Sequence, residues 1–179
     1  LFVGAACRAA LASPASRRVS GDELESYHGT LMPKATAKIL IIGTGIGGLS
    51  TALKLADAGE VTLVCKGTPD DGATRYAQGG IASVWSKSDR FEYHIEDTKV
   101  AGAGLCHDDS VEVCVREGPA RVRELIEFGV PFTKAHETNG APPSDPTEVF
   151  DLHREGGHSK RRILHADDLT GLAIERTLL

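Results

Sequence analysis

Two short apolar runs flank a stretch of helical periodicity in the first half of the chain. Ile39-Leu40-Ile41-Ile42 is brief, continuous and rich in branched side chains, the pattern of a parallel strand buried on both faces. Leu49, Ala52, Leu53, Leu55 and Ala56 then recur at helical spacing,. Gly59 suits the end of that helix,. Val61-Thr62-Leu63-Val64-Cys65 is a second apolar, β-branched run,. A strand, a helix and a strand in this order take a right-handed crossover, which sets the two strands parallel.

Beyond them the pattern is more broken. Residues 66–80 form a long loop rich in Gly, Asp, Thr and Pro, and loops of that length are usually functional or mobile. A short strand is predicted over 81–85 and a helix over 91–100,. Gly118-Pro119 divides the next periodic stretch. It predicts one helix over 109–117 and a second over 119–128, because proline is tolerated in a first helical turn. Gly129 fits the position just past a helix end,. Residues 136–146 hold three prolines and few apolar positions and read as loop,. Short strands are expected over 149–152 and 162–165, and a helix from near Asp168,. The alternation of elements predicts an α/β fold with a parallel sheet.

The first chemistry sits between the first strand and its helix. Gly43-Thr44-Gly45-Ile46-Gly47-Gly48 places a G-x-G-x-x-G in a strand–turn–helix context, which makes it a dinucleotide fingerprint. The first glycine permits the tight turn, the second admits a pyrophosphate to the backbone, and the third lets helix and strand pack. The helix N-terminus adds free donors and a favourable dipole. In the usual NAD site an acid at the end of the second strand binds the ribose. Here that position reads Cys65-Lys66, which weakens NAD and leaves other adenine dinucleotides. Lys66 either faces an anionic cofactor or is a solvated loop lysine.

Composition narrows the class. Apolar residues make up 41% and charged residues 25% of 179 positions, the balance of a globular chain with room for about one domain. A net charge of −5 gives no reason to expect a nucleic-acid partner,. No apolar run approaches the roughly 18 residues of a membrane span. Cys7, Cys65, Cys106 and Cys114 form no C-x-x-C and no metal spacing,. They read as reduced, small buried hydrophobes in a cytosol-like compartment.

Two further segments carry candidate chemistry. In Ala73-Thr74-Arg75-Tyr76-Ala77-Gln78-Gly79-Gly80, adjacent glycines let backbone approach a flat ring. Gln78 there can donate and accept at once, as a flavin edge requires; a plain hairpin loop is the other reading. Between His153 and Arg162 the chain is basic, with four Lys or Arg against the single Glu155. Such a cluster can collect an anion, and a buried Glu155 within it could receive a substrate ammonium; a solvated basic turn is the alternative. His153, His158 and His165 lie five and seven apart, not at the i, i+4 spacing of a helical metal site.

Taken in order, these segments resemble the L-aspartate oxidases of the succinate dehydrogenase/fumarate reductase flavoprotein family. The resemblance runs from about residue 38 to the end. It rests on residues 41–50, on Tyr76-Ala77-Gln78-Gly79-Gly80-Ile81-Ala82, and on His94-Ile95-Glu96-Asp97-Thr98 with residues 101–106. Its most specific parts are Arg154-Glu155-Gly156-Gly157-His158-Ser159 and Arg162-Ile163-Leu164-His165-Ala166, followed by Thr170-Gly171.

The resemblance implies a Rossmann-like FAD-binding domain with an incomplete parallel sheet. It implies non-covalent FAD and oxidation of L-aspartate to iminoaspartate, the entry to NAD biosynthesis through quinolinate, with oxygen or fumarate as acceptor. Gly43, Thr44, Gly45, Ile46, Gly47 and Gly48 would hold the pyrophosphate, and Lys66 would lie along the adenosine. Ala73, Thr74, Arg75, Tyr76, Ala77, Gln78, Gly79 and Gly80 would line the flavin. Glu155 would orient the substrate amino group, and the product could pass to quinolinate synthase. Fumarate reductases and succinate dehydrogenases carry a flavin-linking histidine five residues before this glutamine; here that residue is Ala73, which favours the oxidase. An inactive FAD-binding fragment is a third reading.

Leu1 at the start, a single methionine at Met32 and an end inside a helical pattern read as a piece of a longer protein. Residues 32–179 would then be the N-terminal part of the FAD-binding domain, and a parallel sheet without its later strands would expose apolar surface. Residues 1–31 would be a non-native, leader or disordered extension ahead of a start at Met32, with the protein in the cytoplasm. Arg8, Arg17 and Arg18 fit a transit peptide, hence a plastid, while Asp22, Glu23 and Glu25 argue against one,.

Overall fold

A computed structural model describes residues 37–135 and 149–179. The expected leader over 1–31 and the loop over 136–146 lie outside the described residues. Contacts divide the chain into two units, residues 1–68 and 69–179.

In the first unit, β1 (Ala37–Ile42) pairs in parallel with β2 (Gly59–Val64), with Ile39 opposite Val61 and Ile42 opposite Val64. Between them α1 (Ile46–Leu55) buries Leu49 and Ala52. The predicted β-α-β unit is therefore present. Gly59 opens β2 instead of closing the helix, because the chain turns earlier, through Ala58 N–H to the Leu55 carbonyl at 2.9 Å. The strands are not buried on both faces as their composition predicts: Leu40 is 63% and Ile42 83% exposed.

The second unit is built on an antiparallel sheet. β3 (Ile81–Ala82), β4 (Leu152–His153) and β5 (Ile163–Leu164) take the order β3-β5-β4. Only two residues of the predicted strand over 81–85 are strand, although Ser83 N–H extends the ladder to the Arg162 carbonyl at 2.9 Å. Helices α2 (Phe91–Gly102) and α3 (Asp108–Glu127) pack together, and α4 (Thr170–Leu178) follows β5.

The two helices expected either side of Gly118-Pro119 are one. Val115, Pro119, Val122 and Leu125 lie on the buried stripe of α3, so the proline ring packs into the core. That burial offsets the backbone hydrogen bond a mid-helix proline forfeits. The helix ends at Gly129, with φ 100°. Gly129 N–H reaches the Ile126 carbonyl and Val130 N–H the Leu125 carbonyl, the paired closure of a Schellman motif. Beyond it Phe132, Phe150 and Trp85 meet edge to face, with centroids 5.9 and 6.2 Å apart,. The cysteines depart from expectation. Cys114 is exposed and Cys65 and Cys106 are half-buried, while Cys7 lies outside the described residues.

Candidate functional site

The glycine loop of the first unit has the geometry its spacing predicts. Gly43 sits at φ 108°, in the region that favours glycine, and donates to the Val64 carbonyl at 2.8 Å,. A Cβ on Gly48 would overlap the Gly43 carbonyl oxygen, so the third glycine is required for helix to lie on strand. Gly45 caps α1 in extended conformation without a side-chain hydrogen bond. The backbone N–H groups of Gly47 and Gly48 have no backbone acceptor among the described residues, and a Cβ at Gly47 would meet nothing within 4 Å. Two N–H groups without a backbone acceptor at a helix start, beside a glycine with open space, are what a pyrophosphate needs. Thr44 is buried, and Ile46 and Lys66 are exposed.

In the second unit, residues 73–80 form a surface segment of turns. Arg75 pairs with Asp70, and Tyr76 donates to Asp71 at 3.0 Å. Ala73, Ala77, Gln78 and Gly79 are exposed, and Thr74 is half-buried. The Gln78 amide has no hydrogen bond among the described residues. The two glycines serve different ends. A Cβ on Gly80 would overlap the Leu164 carbonyl, so Gly80 is required by its packing on β5. A Cβ on Gly79 would instead face the Glu155 carboxylate, at 3.8 and 3.9 Å from its two oxygens. The structure thus brings the Glu155 carboxylate beside Gly79. Glu155 is exposed, not buried as the sequence suggested.

The basic segment around Glu155 is mostly committed to structure. Arg162 is fully buried and forks onto Asp89, Nε to Oδ2 at 2.8 Å and Nη2 to Oδ1 at 2.9 Å. Its Nη1 donates to Asp97 at 2.6 Å and lies 3.3 Å from His158 Nδ1. Asp97 also accepts from the Ser159 backbone N–H and hydroxyl, both at 2.8 Å. Burial pushes the Asp97 carboxyl up, but the Ser159 donors and Arg162 outweigh it and hold it below its ordinary value,. Burial, then the neighbouring Arg162 and His158, lower His94 against the opposing pull of Asp89 and Asp97. Lys160 stacks over Tyr93 and Arg161 donates to the Leu152 carbonyl. This is an anchored loop, not an anion trap, and it presents Glu155 at its start. Nothing in the sequence paired Asp89 or Asp97 with Arg162, which they meet from 73 and 65 residues away.

A parallel β-α-β unit crossed by this glycine loop defines a dinucleotide-binding protein of the Rossmann-like class. The chain belongs to the FAD binding domain family, whose match spans residues 38–179. It is 46% identical over 140 residues to an L-aspartate oxidase of Vibrio cholerae, covering 78% of this chain and 25% of that protein. It is 47% identical over 139 residues to a chloroplastic L-aspartate oxidase of Nicotiana tabacum, covering 78% and 20%. Among solved structures it is similar to a quinol fumarate reductase of E. coli, with a TM-score of 0.68 and 31% identity over 80% of this chain and 24% of that one. The chain therefore spans about a fifth to a quarter of the length of the curated relatives it matches. No described helix is long and apolar enough to cross a membrane.

Proposed function

We propose that the chain supplies the FAD-holding part of an enzyme that oxidises L-aspartate to iminoaspartate. The observation that carries this reading is the Glu155 carboxylate facing the bare Cα of Gly79. A carboxylate beside the segment assigned to the flavin is suited to receive the ammonium of an amino-acid substrate. The family's cofactor supplies a two-electron acceptor for the hydride leaving the substrate Cα. The residues of this chain bind and orient. The N–H groups at the start of α1 meet the pyrophosphate, Lys66 lies along the adenosine, and residues 73–80 line the flavin with Gln78 free to hydrogen-bond its edge. Glu155 turns the Cα–H bond of aspartate toward the acceptor by holding its amine.

The identity to L-aspartate oxidases, 44–47%, supports the oxidase over the fumarate reductases at 31–32%. Ala73 supports it as well, since it offers no imidazole for a covalent flavin link. The product, an unstable imine, would be consumed by the quinolinate-forming step of NAD biosynthesis. The reaction would take place in the cytoplasm, or in a plastid if residues 1–31 are a transit peptide.

In the product of the complete reading frame, Glu155→Gln should raise KM for L-aspartate far more than for fumarate, which has no amine. An equal rise for both would remove Glu155 from amine recognition.

A further inference from the structure

We propose that Asp151, His153 and His165 form a binding site for a divalent transition-metal ion of the zinc class. The sheet register creates the cluster. Leu152 lies opposite Leu164 in the β4–β5 pair, so the next pair outward sets Asp151 opposite His165. Residues opposite one another in an antiparallel pair share a face, as do residues two apart on one strand. Asp151, His153 and His165 therefore project from the same side of the sheet. The frame beneath them is firm. Thr133 N–H donates to the His165 carbonyl at 2.7 Å, and Asp151 N–H to the Thr133 carbonyl at 3.0 Å.

The donor atoms converge. His153 Nε2 lies 3.3 Å and His165 Nε2 3.4 Å from the same oxygen, Asp151 Oδ2. One donor from each residue lies within 4.8 Å of the other two. Zinc binds imidazole nitrogen at about 2.0–2.1 Å and carboxylate oxygen at about 2.0–2.2 Å, so the edges of its tetrahedron are about 3.3–3.5 Å. Both nitrogen–oxygen separations fall on that edge length.

The buried histidine supplies a second, independent observation. The His165 side chain is 9% exposed, and neither ring nitrogen has a hydrogen-bond partner among the described residues. Its Nε2 is at a hydrogen bond's approach to Asp151 without the direction of one. Buried polar atoms left in this way call for an explanation, and a cation shared by three converging donors provides it. The two imidazoles stack with centroids 3.8 Å apart and planes 24° from parallel, and both Nε2 atoms lie beside the same Asp151 oxygen. His153 is exposed, which gives an ion a path from solvent. Two nitrogens and one oxygen are the donor set of zinc-like ions rather than of calcium or magnesium, which take oxygen. With three protein ligands the fourth position is left to water.

The test is titration of the full chain with Co²⁺ alone, followed by visible absorption, and with Zn²⁺ alone, followed by thermal unfolding. One equivalent of Co²⁺ should develop the intense bands of four-coordinate cobalt, and Zn²⁺ should displace it. Zn²⁺ should also raise Tm in a concentration-dependent way, as a ligand of the native state does. His153→Ala, at an exposed position, and Asp151→Asn should each weaken binding at least about 100-fold, beyond the roughly 10–100-fold cost of losing a residue behind a ligand. His107→Ala, at another exposed histidine, should leave it unchanged. Cobalt that stays six-coordinate and unsaturated overturns the site. So does binding that survives both ligand substitutions in folded protein, which would place the ion elsewhere.

Discussion

Replacing Arg162 by methionine keeps much of its volume and removes its charge, leaving two carboxylates facing a position that nothing neutralises. The Arg162 and Asp89 side chains are 0% exposed and that of Asp97 is 15%, so little solvent can screen what is left. Removing one partner of a buried pair costs about 3–5 kcal/mol, chiefly because the other charge stays behind. At a urea slope of about 2 kcal/mol/M, typical of a small protein, the unfolding midpoint should fall by roughly 2 M. Trp85 is the only tryptophan, is buried, and lies under the Arg123 guanidinium at 5.3 Å, so its fluorescence reports the loss of this core. Adding Asp89→Asn to Arg162→Met removes the more deeply buried of the two stranded charges, and should restore part of the stability that the single change took away. If the two losses simply add, or if Arg162→Met moves the midpoint by less than about half a molar, the buried pair does not hold this loop.

Gly171→Ala should destabilise by about 1–3 kcal/mol in urea melts, although alanine in a helix ordinarily gains about 1 kcal/mol over glycine. A Cβ there would overlap the Thr74 carbonyl, and a stabilised variant would contradict the packing of α4 on residues 74–77. Stability should fall on acidification in two stages. The first begins below about 6.5, because only the unfolded chain takes up the His94 proton, and His94→Gln should flatten it,. The second begins near 3.8 and proceeds as the depressed Asp97 carboxyl is protonated, and Asp97→Asn should remove it,. Acid precipitation of the flavin-loaded protein should release all of its colour, as Ala73 offers no covalent link, and a yellow pellet would contradict this.

What the sequence disclosed and what it hid divide along the range of the interactions. The β1–α1–β2 unit was legible because a run of branched residues, three glycines and a helical stripe are all local signals. The two-helix reading of Gly118-Pro119 failed because it took the proline for a helix start and did not foresee the burial of its ring, which only tertiary packing reveals. The β3-β5-β4 sheet consists of two-residue strands, too short for a period of two to show. The basic stretch looked like an anion site because Arg162 was counted as free; its partners come from distant segments. The histidine spacing was judged against a helix, whereas His153 and His165 lie on paired strands, where opposition across the ladder decides which side chains meet.

FAD held by this chain is proposed to accept electrons from L-aspartate. The direct measurement is anaerobic absorption of the flavin in the product of the complete reading frame. On addition of L-aspartate the flavin bands should bleach, and admitting oxygen should restore them with formation of peroxide. Bleaching by succinate with none by L-aspartate would contradict the account.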